Sequence, residues 1–404
     1  MELETQCCAH NYEPLPVVLA RGKGAYLWDT KGRRYVDMMS AYSAASHGHG
    51  HPRILAALEA QARRLAVPSR AYYNDRLGPF LLELCRLTGL DMALPMNTGS
   101  EAVETAIKAA RRWGYRVKGV PRDRADIIVA QGNFHGRTTT IVGFSSEPAY
   151  RDGFGPFTPG FRAVPFGDIG ALARAITPET VAVLIEPIQG EAGIVVPPAG
   201  WLADVRRLCD AHHALMILDE IQSGLGRTGD WFAFQHEGVA PDGLVLGKAL
   251  GGGVLPVSAF VARREVMEVF TPGSHGSTFG GNPLAAAVGL EALRVIDEEG
   301  LVQRSRALGA RMLARLRTIR SPVLKEVRGR GLWVGAEIDP DFATARQACN
   351  RLLAKGVLSK ETHDTVVRLA PPLVIADQDL DWALDRFEEV MREFERSWHR
   401  PVAA

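Results

Sequence analysis

Two residues that could do covalent chemistry stand shortly after apolar runs. Asp219 follows the run 214–218, and Lys248 comes soon after the run 243–246. Apolar runs of this length, bounded by polar residues and glycines, are typical of buried strands in a parallel sheet. Because open parallel sheets bind ligands at the carboxyl ends of their strands, we expect a carboxylate and an amine at the ligand-binding edge.

An acid and an amine at such an edge suit pyridoxal phosphate (PLP). A lysine can bind the cofactor aldehyde covalently, and a carboxylate can keep the pyridine nitrogen protonated so that the ring accepts electrons. The glycines 251–253 follow the lysine and would let backbone approach a ligand closely. The same residues also fit a buried ion pair, a solvated sheet edge or an ordinary turn. The hypothesis therefore requires a phosphate site and a substrate site.

Residues 96–101 predict the start of a helix that could bind phosphate. Thr98 and Glu101 have the spacing of a capping box. Free N–H groups and the helix dipole attract phosphate to a helix amino terminus. A capped helix without a ligand is the alternative, but Gly99 and Ser100 add a flexible step and a hydroxyl, which favours the phosphate site.

Three further polar loops carry side chains suited to a ring or a carboxylate. In the loop 132–138, Phe134 could stack on a flat ring, and Arg137 could form a fork with a carboxylate. A core phenylalanine and a surface arginine are the alternatives. Residues 186–191 stand at another strand end, and residues 275–283 form a polar loop with paired hydroxyls.

The composition limits the classes of protein to consider. A chain of 404 residues predicts two or three domains, or one large domain with a smaller one. Its 46% hydrophobic and 23% charged residues indicate a globular protein, and a net charge of +1 gives no reason to expect nucleic acid or an anionic membrane as partner. No apolar run approaches the roughly 20 residues of a membrane span. Residues 1–5 are acidic and lack an apolar core, so they do not predict a secretory or mitochondrial presequence.

Cysteines and histidines raise the question of a metal site. The five cysteines are odd in number and mostly far apart, which predicts free thiols in a reducing compartment and a cytoplasmic protein. Cys7 and Cys8 could bind a metal or form a redox pair, but no second pair accompanies them. The run 46–51 alternates histidines, which can chelate a metal. Since no acid or cysteine lies close to it, we interpret it as a turn before a helix and predict no metal.

Alternating strands and helices over residues 90–285 predict an α/β domain on a largely parallel sheet. The predicted strands of this region are 126–130, 181–186, 214–219, 242–247 and 257–261. A hairpin around residues 31–32 precedes it, and predicted helices 284–296, 301–319 and 380–394 with strands 332–338 and 365–369 follow it. We divide the chain into an amino-terminal segment 1–50 that joins the small domain, a large domain 51–289 and a small α+β domain 290–404.

With these loops in order around Asp219 and Lys248, the chain resembles the class III (fold type I) PLP-dependent aminotransferases. Residues 219–224 and 226–229 match the signature stretch of that family, and Lys248 stands where its lysine belongs. The likeness extends from about residue 11 to residue 375. Its other specific matches are 10–16, 96–99, 152–157 and 368–373. The resemblance implies an α/β large domain with a mostly parallel sheet of the seven-stranded type, plus a smaller α+β domain.

The resemblance implies a role at the cofactor for each matching residue. Lys248 would carry PLP and then move protons between carbon atoms, and Asp219 would pair with the ring nitrogen. The other implied contacts are Phe134 and His135 at the ring, Gln222 at its phenolic oxygen, Gly99 and Ser100 at the phosphate, and Ser277 and Thr278 at the phosphate of the neighbouring subunit. The last pair would make a homodimer obligatory.

Within the family, the chain is most similar to the members that use ornithine. Tyr12, Tyr42 and Arg137 would then hold the amino-acid end of ornithine, so that its terminal amine is free to react. Glu191 would pair with Arg368 and mask it while ornithine is bound. For 2-oxoglutarate the pair would open, and Arg368 would take the α-carboxylate. A switchable ion pair lets one site accept an amino acid with two amines and then a dicarboxylate.

The implied reaction moves the δ-amino group of ornithine to 2-oxoglutarate. It gives glutamate and glutamate 5-semialdehyde, which cyclises to pyrroline-5-carboxylate. His135 stands where some ornithine-using members carry tryptophan; this departure leaves PLP chemistry unaffected but bears on substrate preference.

Three alternatives stay open. Another ω-amine donor (acetylornithine, 4-aminobutyrate, lysine or a specialised diamino acid) could use the same residues, although Tyr12 disfavours acetylornithine because it is expected to contact a free α-amine. An aminomutase of the same fold would need no oxoacid. A non-catalytic regulator is disfavoured by the short segment before Tyr12 and by the intact Lys248.

Overall fold

The computed structural model describes residues 1–398, which contain three sheets. The strands, in chain order, are β1 Leu19–Lys23, β2 Tyr26–Asp29, β3 Arg34–Asp37, β4 Met92–Met96, β5 Asp126–Ala130, β6 Phe161–Val164, β7 Thr180–Ile185, β8 Leu215–Asp219, β9 Gly243–Leu246, β10 Ser258–Ala262, β11 Leu324–Gly329, β12 Val334–Ile338, β13 Val357–Leu358, β14 Lys360–Thr362 and β15 Val366–Leu369. The largest sheet has seven strands, in the order β4-β10-β9-β8-β7-β5-β6.

Helices cover both faces of that sheet and form much of the rest of the chain. They are Glu2–Cys7, Pro52–Arg64, Leu77–Thr88, Gly99–Trp113, Thr139–Gly143, Ile169–Ala175, Trp201–Ala211, Arg264–Met267, Pro283–Glu298, Leu301–Arg317, Ala345–Ala354 and Asp377–Trp398. None of these helices of the described chain combines the length and the apolar character that crossing a bilayer takes. The predicted helices 284–296, 301–319 and 380–394 are confirmed, with ends that differ by a few residues.

The seven-stranded sheet is mostly parallel, which confirms the predicted α/β class. Strands β6, β5, β7, β8 and β9 run parallel to one another, whereas β10 is antiparallel to both β9 and β4. The five predicted strands agree with β5, β7, β8, β9 and β10 to within one residue at each end. Each residue of β7, β8, β9 and β10 is buried, which explains why the sequences of these strands are almost entirely apolar.

The two edge strands, β4 and β6, were not predicted from the sequence. Strand β4 includes Pro95, and β6 has the exposed residues Arg162 and Ala163, so neither has the uniform apolar pattern of the central strands. Edge strands tolerate proline and polar residues because one side of their backbone needs no partner.

The helix Gly99–Trp113 packs on one face of the sheet through small residues. Ala102, Ala106, Ala109 and Trp113 are buried in a core that also includes residues of β5, β7 and β8. This packing places the amino terminus of the helix at the edge where β8 and β9 end.

The two small sheets join distant parts of the chain. The predicted hairpin is confirmed as β2–β3, while β1, which pairs with β2, was not predicted. Strand β3 pairs in parallel with β13, so Val36 lies opposite Val357. Strands β11, β12, β15 and β14 form the third sheet, which is antiparallel. The division into domains stays a prediction.

Candidate active site

A cavity of about 200 Å³ lies at the carboxyl ends of the central strands. We call it the sheet-end cavity. It is lined by Gly99, Ser100, Phe134, His135, Gly136, Glu186, Ile188, Asp219, Ile221, Gln222, Ser223 and Lys248. Asp219 is the last residue of β8, Glu186 follows β7, and Lys248 comes shortly after β9. The structure therefore brings seven predicted cofactor residues to one cavity: Gly99, Ser100, Phe134, His135, Asp219, Gln222 and Lys248.

One side of the cavity is the amino terminus of the helix Gly99–Trp113. The predicted capping box is present: Thr98 Oγ1 accepts the Glu101 N–H at 3.3 Å, and Glu101 Oε2 accepts the Thr98 N–H at 2.7 Å. Within residues 1–398 the N–H groups of Gly99 and Ser100 have no acceptor. They are two of the donors that a helix leaves free in its first turn, and they suit an anion.

Two glycines keep this end of the cavity open. A Cβ atom on Gly99 would lie 2.8 Å from Cδ1 of Ile221, and one on Gly136 would lie 2.2 Å from Oγ of Ser100. Gly136 also has a φ of +127°, which other residues rarely adopt. Free N–H donors beside positions where a side chain would not fit are what a phosphate group requires, so these residues fit the phosphate of PLP.

Asp219 is held in one orientation by two donors. Its Oδ2 lies 2.7 Å from Nδ1 of His135, and its Oδ1 accepts the Ile221 N–H at 3.0 Å. Burial alone would lower the pKa of His135, but the hydrogen bond and charge of Asp219, with the charge of Glu186, outweigh it and raise that pKa. The raised pKa favours a proton on His135, which faces the Asp219 carboxylate, and that carboxylate fits a pyridinium nitrogen. His135 Nε2 is buried and has no partner in the described chain.

Lys248 enters the cavity from a strained backbone position. Its φ is +44°, in the left-handed region that residues other than glycine rarely adopt, and such strain is concentrated at functional sites. Within residues 1–398 its ammonium makes no hydrogen bond or ion pair. Burial lowers the pKa of Lys248, against the opposing charges of Glu191, Asp219 and Glu186. A lowered pKa increases the neutral amine that can bind an aldehyde or accept a proton.

Glu186 is a site residue to which the sequence analysis assigned no role. Its carboxylate accepts the N–H of Phe134 at 2.9 Å and the N–H of Gly190 at 3.1 Å, so it joins the loops after β5 and β7. Burial raises the pKa of Glu186 to about 7. Its place directly after a buried strand, like that of Asp219, was the signal that could have identified it. Ile188 and Ile221 were also missed, because apolar lining residues resemble any core residue.

A second group of side chains lies beyond Lys248. We call Tyr42, Arg137, Tyr150, Glu191 and Arg368 the distal cluster. Arg368 Nη1 donates to Glu191 Oε1 at 2.6 Å, and Nη2 donates to Oε2, so the pair is bidentate. Burial would raise the pKa of Glu191, but its hydrogen bond to Arg368 and the charge of that residue lower it. The structure thus brings together the two residues expected to form a gate.

Arg137 has a different environment from Arg368. Its guanidinium carbon lies 3.6 Å from the centre of the Tyr150 ring and 5.4 Å from that of Phe134. No carboxylate within residues 1–398 forms an ion pair with Arg137. Tyr150 was missed by the sequence analysis, because nothing in its local pattern marks it.

Tyr42 is presented by a turn of unusual backbone. Residues Ser40–Ser43 have φ values of 44°, 48°, 58° and 75°, which make a left-handed turn. The guanidinium carbon of Arg368 lies 5.2 Å from the centre of the Tyr42 ring. The turn is held by Arg227, a buried guanidinium that donates to Ser40 Oγ at 3.1 Å, Ser46 Oγ at 2.7 Å, Leu332 O at 2.9 Å and Pro371 O at 2.6 Å. Burial lowers the pKa of Arg227 to about 9.

Three predicted site residues belong neither to the sheet-end cavity nor to the distal cluster. Tyr12 is 75% exposed, and its hydroxyl has no hydrogen-bond partner in the described chain. Ser277 Oγ accepts from Asn97 Nδ2 at 2.9 Å, and Thr278 is exposed to solvent.

The histidines of the run 46–51 contact different partners. His47 Nε2 lies 3.0 Å from the carbonyl oxygen of Ala292, and His49 Nε2 lies 2.7 Å from Asp37 Oδ2. In the part of the chain that the structure describes, no three His, Cys, Asp or Glu side chains are arranged to hold a metal ion.

Comparisons with known proteins agree with this geometry. The family model for class-III aminotransferases matches residues 7–391. An ornithine aminotransferase of Brevibacillus brevis is 55% identical over 95% of this chain and 95% of its own. The structure of an ornithine aminotransferase from Toxoplasma gondii, with partial occupancy of PLP at its active site, has a TM-score of 0.97 at 44% identity and covers 99% of this chain and 95% of that chain. An acetylornithine aminotransferase from Elizabethkingia anophelis has a TM-score of 0.88 at 44% identity, with 97% and 98% covered.

Proposed function

This chain belongs to the class-III aminotransferases, which use PLP, and from that premise we propose how its residues move the δ-amino group of ornithine to 2-oxoglutarate. The relatives that act on ornithine are similar over nearly the whole chain, which supports ornithine as the donor. When bound, PLP supplies an aldehyde that takes up the amine and a ring that draws electrons from the reacting carbon. The products are glutamate and glutamate 5-semialdehyde, which cyclises to pyrroline-5-carboxylate.

The residues of the sheet-end cavity would hold the cofactor. The N–H groups of Gly99 and Ser100 would hold its phosphate, and Phe134 would stack on its ring. Asp219, with His135 behind it, would keep the ring nitrogen protonated. Lys248 would form the covalent link to the aldehyde and, once the substrate amine has replaced it, would take a proton from the δ-carbon as general base and deliver it to the cofactor carbon.

The observation that carries the choice of amine is that Arg368 is masked. Its guanidinium is buried and forms a bidentate pair with Glu191, whereas Arg137 has no carboxylate partner within residues 1–398. A carboxylate of the incoming amino acid therefore binds at Arg137, with Tyr12 and Tyr42 at the same end. This places the far amine of ornithine, rather than its α-amine, beside Lys248.

In the second half of the reaction, Arg368 has to be open instead of masked. 2-Oxoglutarate has two carboxylates, and binding its keto carbon beside Lys248 needs a cation for each. Arg137 takes the distal one, and Arg368 takes the α-carboxylate once Glu191 turns away. A bidentate arginine–carboxylate contact is strong enough to replace the pair that opens.

We also propose a homodimer in which Ser277 and Thr278 reach the phosphate of the neighbouring subunit. Thr278 lies outside the cavity of its own chain, and Phe279 beside it is 55% exposed, as expected of a surface that a partner covers. The cytoplasm is the proposed compartment, supported by five cysteines that are all free. The proposal that the amino-terminal segment 1–50 joins the small domain is supported by the pairing of β3 with β13.

The test is a panel of half-reactions with the PLP-loaded protein. Ornithine, N-acetylornithine, 4-aminobutyrate and lysine are each mixed with it, and the loss of the near-visible cofactor absorbance is followed. We expect ornithine to give the highest kcat/KM, and 2-oxoglutarate to restore the absorbance afterwards. A higher value for acetylornithine would reassign the donor, and turnover without any oxoacid would indicate an aminomutase.

A further inference from the structure

The guanidinium of Arg137 lies between aromatic rings instead of beside an acid. It is over the Tyr150 ring at 3.6 Å and over the Phe134 ring at 5.4 Å, measured from its central carbon to each ring centre. Cations are attracted to the face of an aromatic ring. A contact with a ring uses no carboxylate, so the N–H donors of Arg137 stay available for one.

Tyr150 is well placed to hold Arg137 in this position. It ends the short 3₁₀ turn Pro148–Tyr150, and its N–H donates to the Glu147 carbonyl oxygen at 3.1 Å. Its ring meets the Phe134 ring edge-on, with 6.1 Å between centres. Since Phe134 lines the sheet-end cavity, Tyr150 connects the cofactor ring contact to the guanidinium of the distal cluster.

Two cations of the distal cluster, Arg137 and Arg368, lie near one acid, Glu191. Arg137 lies close enough to Glu191 for its charge to help lower the pKa of that carboxyl. If Arg137 were free to move, it could compete with Arg368 for Glu191. The aromatic contact favours the arrangement in which Arg368 keeps Glu191 and Arg137 stays open.

We propose that Tyr150 is a specificity-determining residue that positions Arg137 to bind the carboxylate of the amino donor. This inference rests on the proposed function, and it adds a preference for ω-amines that carry a carboxylate far from the reacting amine. Tyr150 acts through Arg137 and does not touch the reacting atoms, so it is a positioning residue.

The test compares ornithine with 1,4-diaminobutane, which is ornithine without its carboxylate. Tyr150→Leu removes the ring and should lower kcat/KM for ornithine by about 5-fold to 10-fold, mainly through KM, because one cation–ring contact is lost. The value for 1,4-diaminobutane should not change. Tyr150→Phe keeps the ring and should restore wild-type behaviour.

A second measurement does not depend on turnover. Valerate has the carboxylate of ornithine but no amine, so it can bind to the PLP-loaded protein without reacting. Its dissociation constant, measured by calorimetry, should rise in Tyr150→Leu by the same factor as KM. Phe157→Leu is the matched control, because Phe157 makes a similar contact with Arg151 at 5.2 Å and lies outside the distal cluster.

The outcomes separate this inference from the proposed function. Equal losses for ornithine and 1,4-diaminobutane, or unchanged valerate binding, would show that Tyr150 only supports the fold and would overturn the inference. If wild type does not prefer ornithine in the panel of donors, the proposed function fails, while valerate binding still decides the role of Tyr150.

Discussion

The sheet-end cavity and the distal cluster are neighbours, yet the chain builds them differently. The residues of the cavity follow strands of one sheet, so a single buried scaffold places them. The distal cluster joins a left-handed turn at 40–43, loops after β5 and β7, and strand β15 of another sheet. A cofactor that stays bound suits the first kind of construction. Two substrates of different charge suit the second, because its parts can move separately.

The charged groups of the two regions also differ in how firmly they are held. In the cavity, Asp219 is fixed by His135 and by a backbone N–H. In the distal cluster, Glu191 and Arg368 are held mainly by each other, and Arg137 is held by rings. The electrostatic field at the cofactor is therefore constant, while the field at the far end can change with the substrate.

The largest effect is expected at Lys248, the cavity residue that does the chemistry. Lys248→Ala should lower kcat with ornithine and 2-oxoglutarate by at least about 10⁴-fold, because covalent attachment and proton transfer are both lost. Steady-state kinetics measure this, with the exposed Lys325→Ala as control. Activity within about 10-fold of wild type would remove Lys248 from the mechanism.

The next largest effect tests whether the two regions are held independently. Arg227→Met should lower the free energy of unfolding by about 4 kcal/mol, because four oxygen acceptors lose their donor. Urea denaturation measures it. KM for ornithine should rise, since the turn that carries Tyr42 loosens, whereas the affinity for PLP should stay the same. A loss of PLP affinity as large as the rise in KM for ornithine would show that the two regions are not held independently.

A pH effect on stability is expected at His47, which follows Ser46, one of the residues that Arg227 holds. Burial lowers the pKa of His47 to about 4 from an ordinary value of 6.5. Because the folded state favours neutral His47, its contribution is complete above pH 6.5 and is lost as the pH falls through about 4. The loss is on the order of 3 kcal/mol. His47→Gln should remove this dependence in denaturation series between those pH values, and an identical profile in wild type and variant would refute it.

A smaller effect is expected when the ion pair between Glu191 and Arg368 is removed. Glu191→Ala leaves Arg368 open, so the ratio of kcat/KM for glutamate to that for ornithine should rise by about 10-fold, as one charged contact becomes available. Half-reactions with each amino acid measure the ratio. Glu337→Ala is the matched control, since Glu337 pairs with Arg328 at 2.5 Å on the same small sheet. An unchanged ratio would count against a gate.

The smallest effect compares two capping boxes. Thr98→Ala and Thr344→Ala should each lower the free energy of unfolding by about 1 kcal/mol, because each helix loses a capping oxygen. Only Thr98→Ala should also weaken PLP binding, measured by fluorescence titration, since its helix begins at the sheet-end cavity. Equal PLP affinities in the two variants would show that the Thr98 cap does not contribute to binding of the phosphate.

Much of the sheet-end cavity could be predicted from local sequence. Asp219 and Lys248 follow buried strands whose apolar runs are visible, and the Thr98–Glu101 spacing predicted the capped helix. The edge strands β4 and β6 were missed because only one side of each pairs with the sheet. Glu186 stood in a recognisable position, but its role depends on the loops that its carboxylate joins.

The distal cluster could not be predicted in this way. Glu191 and Arg368 are 177 residues apart, and only the resemblance to a family suggested their pairing. No local pattern indicates that Arg137 lies over Tyr150, or that Arg227 joins the turn at 40–43 to Pro371. The sequence by itself determined where strands end, where helices are capped and which chemical groups stand there, because these depend on neighbours a few residues away. Only the tertiary structure decided which distant side chains meet, because that depends on how separate sheets and loops pack together.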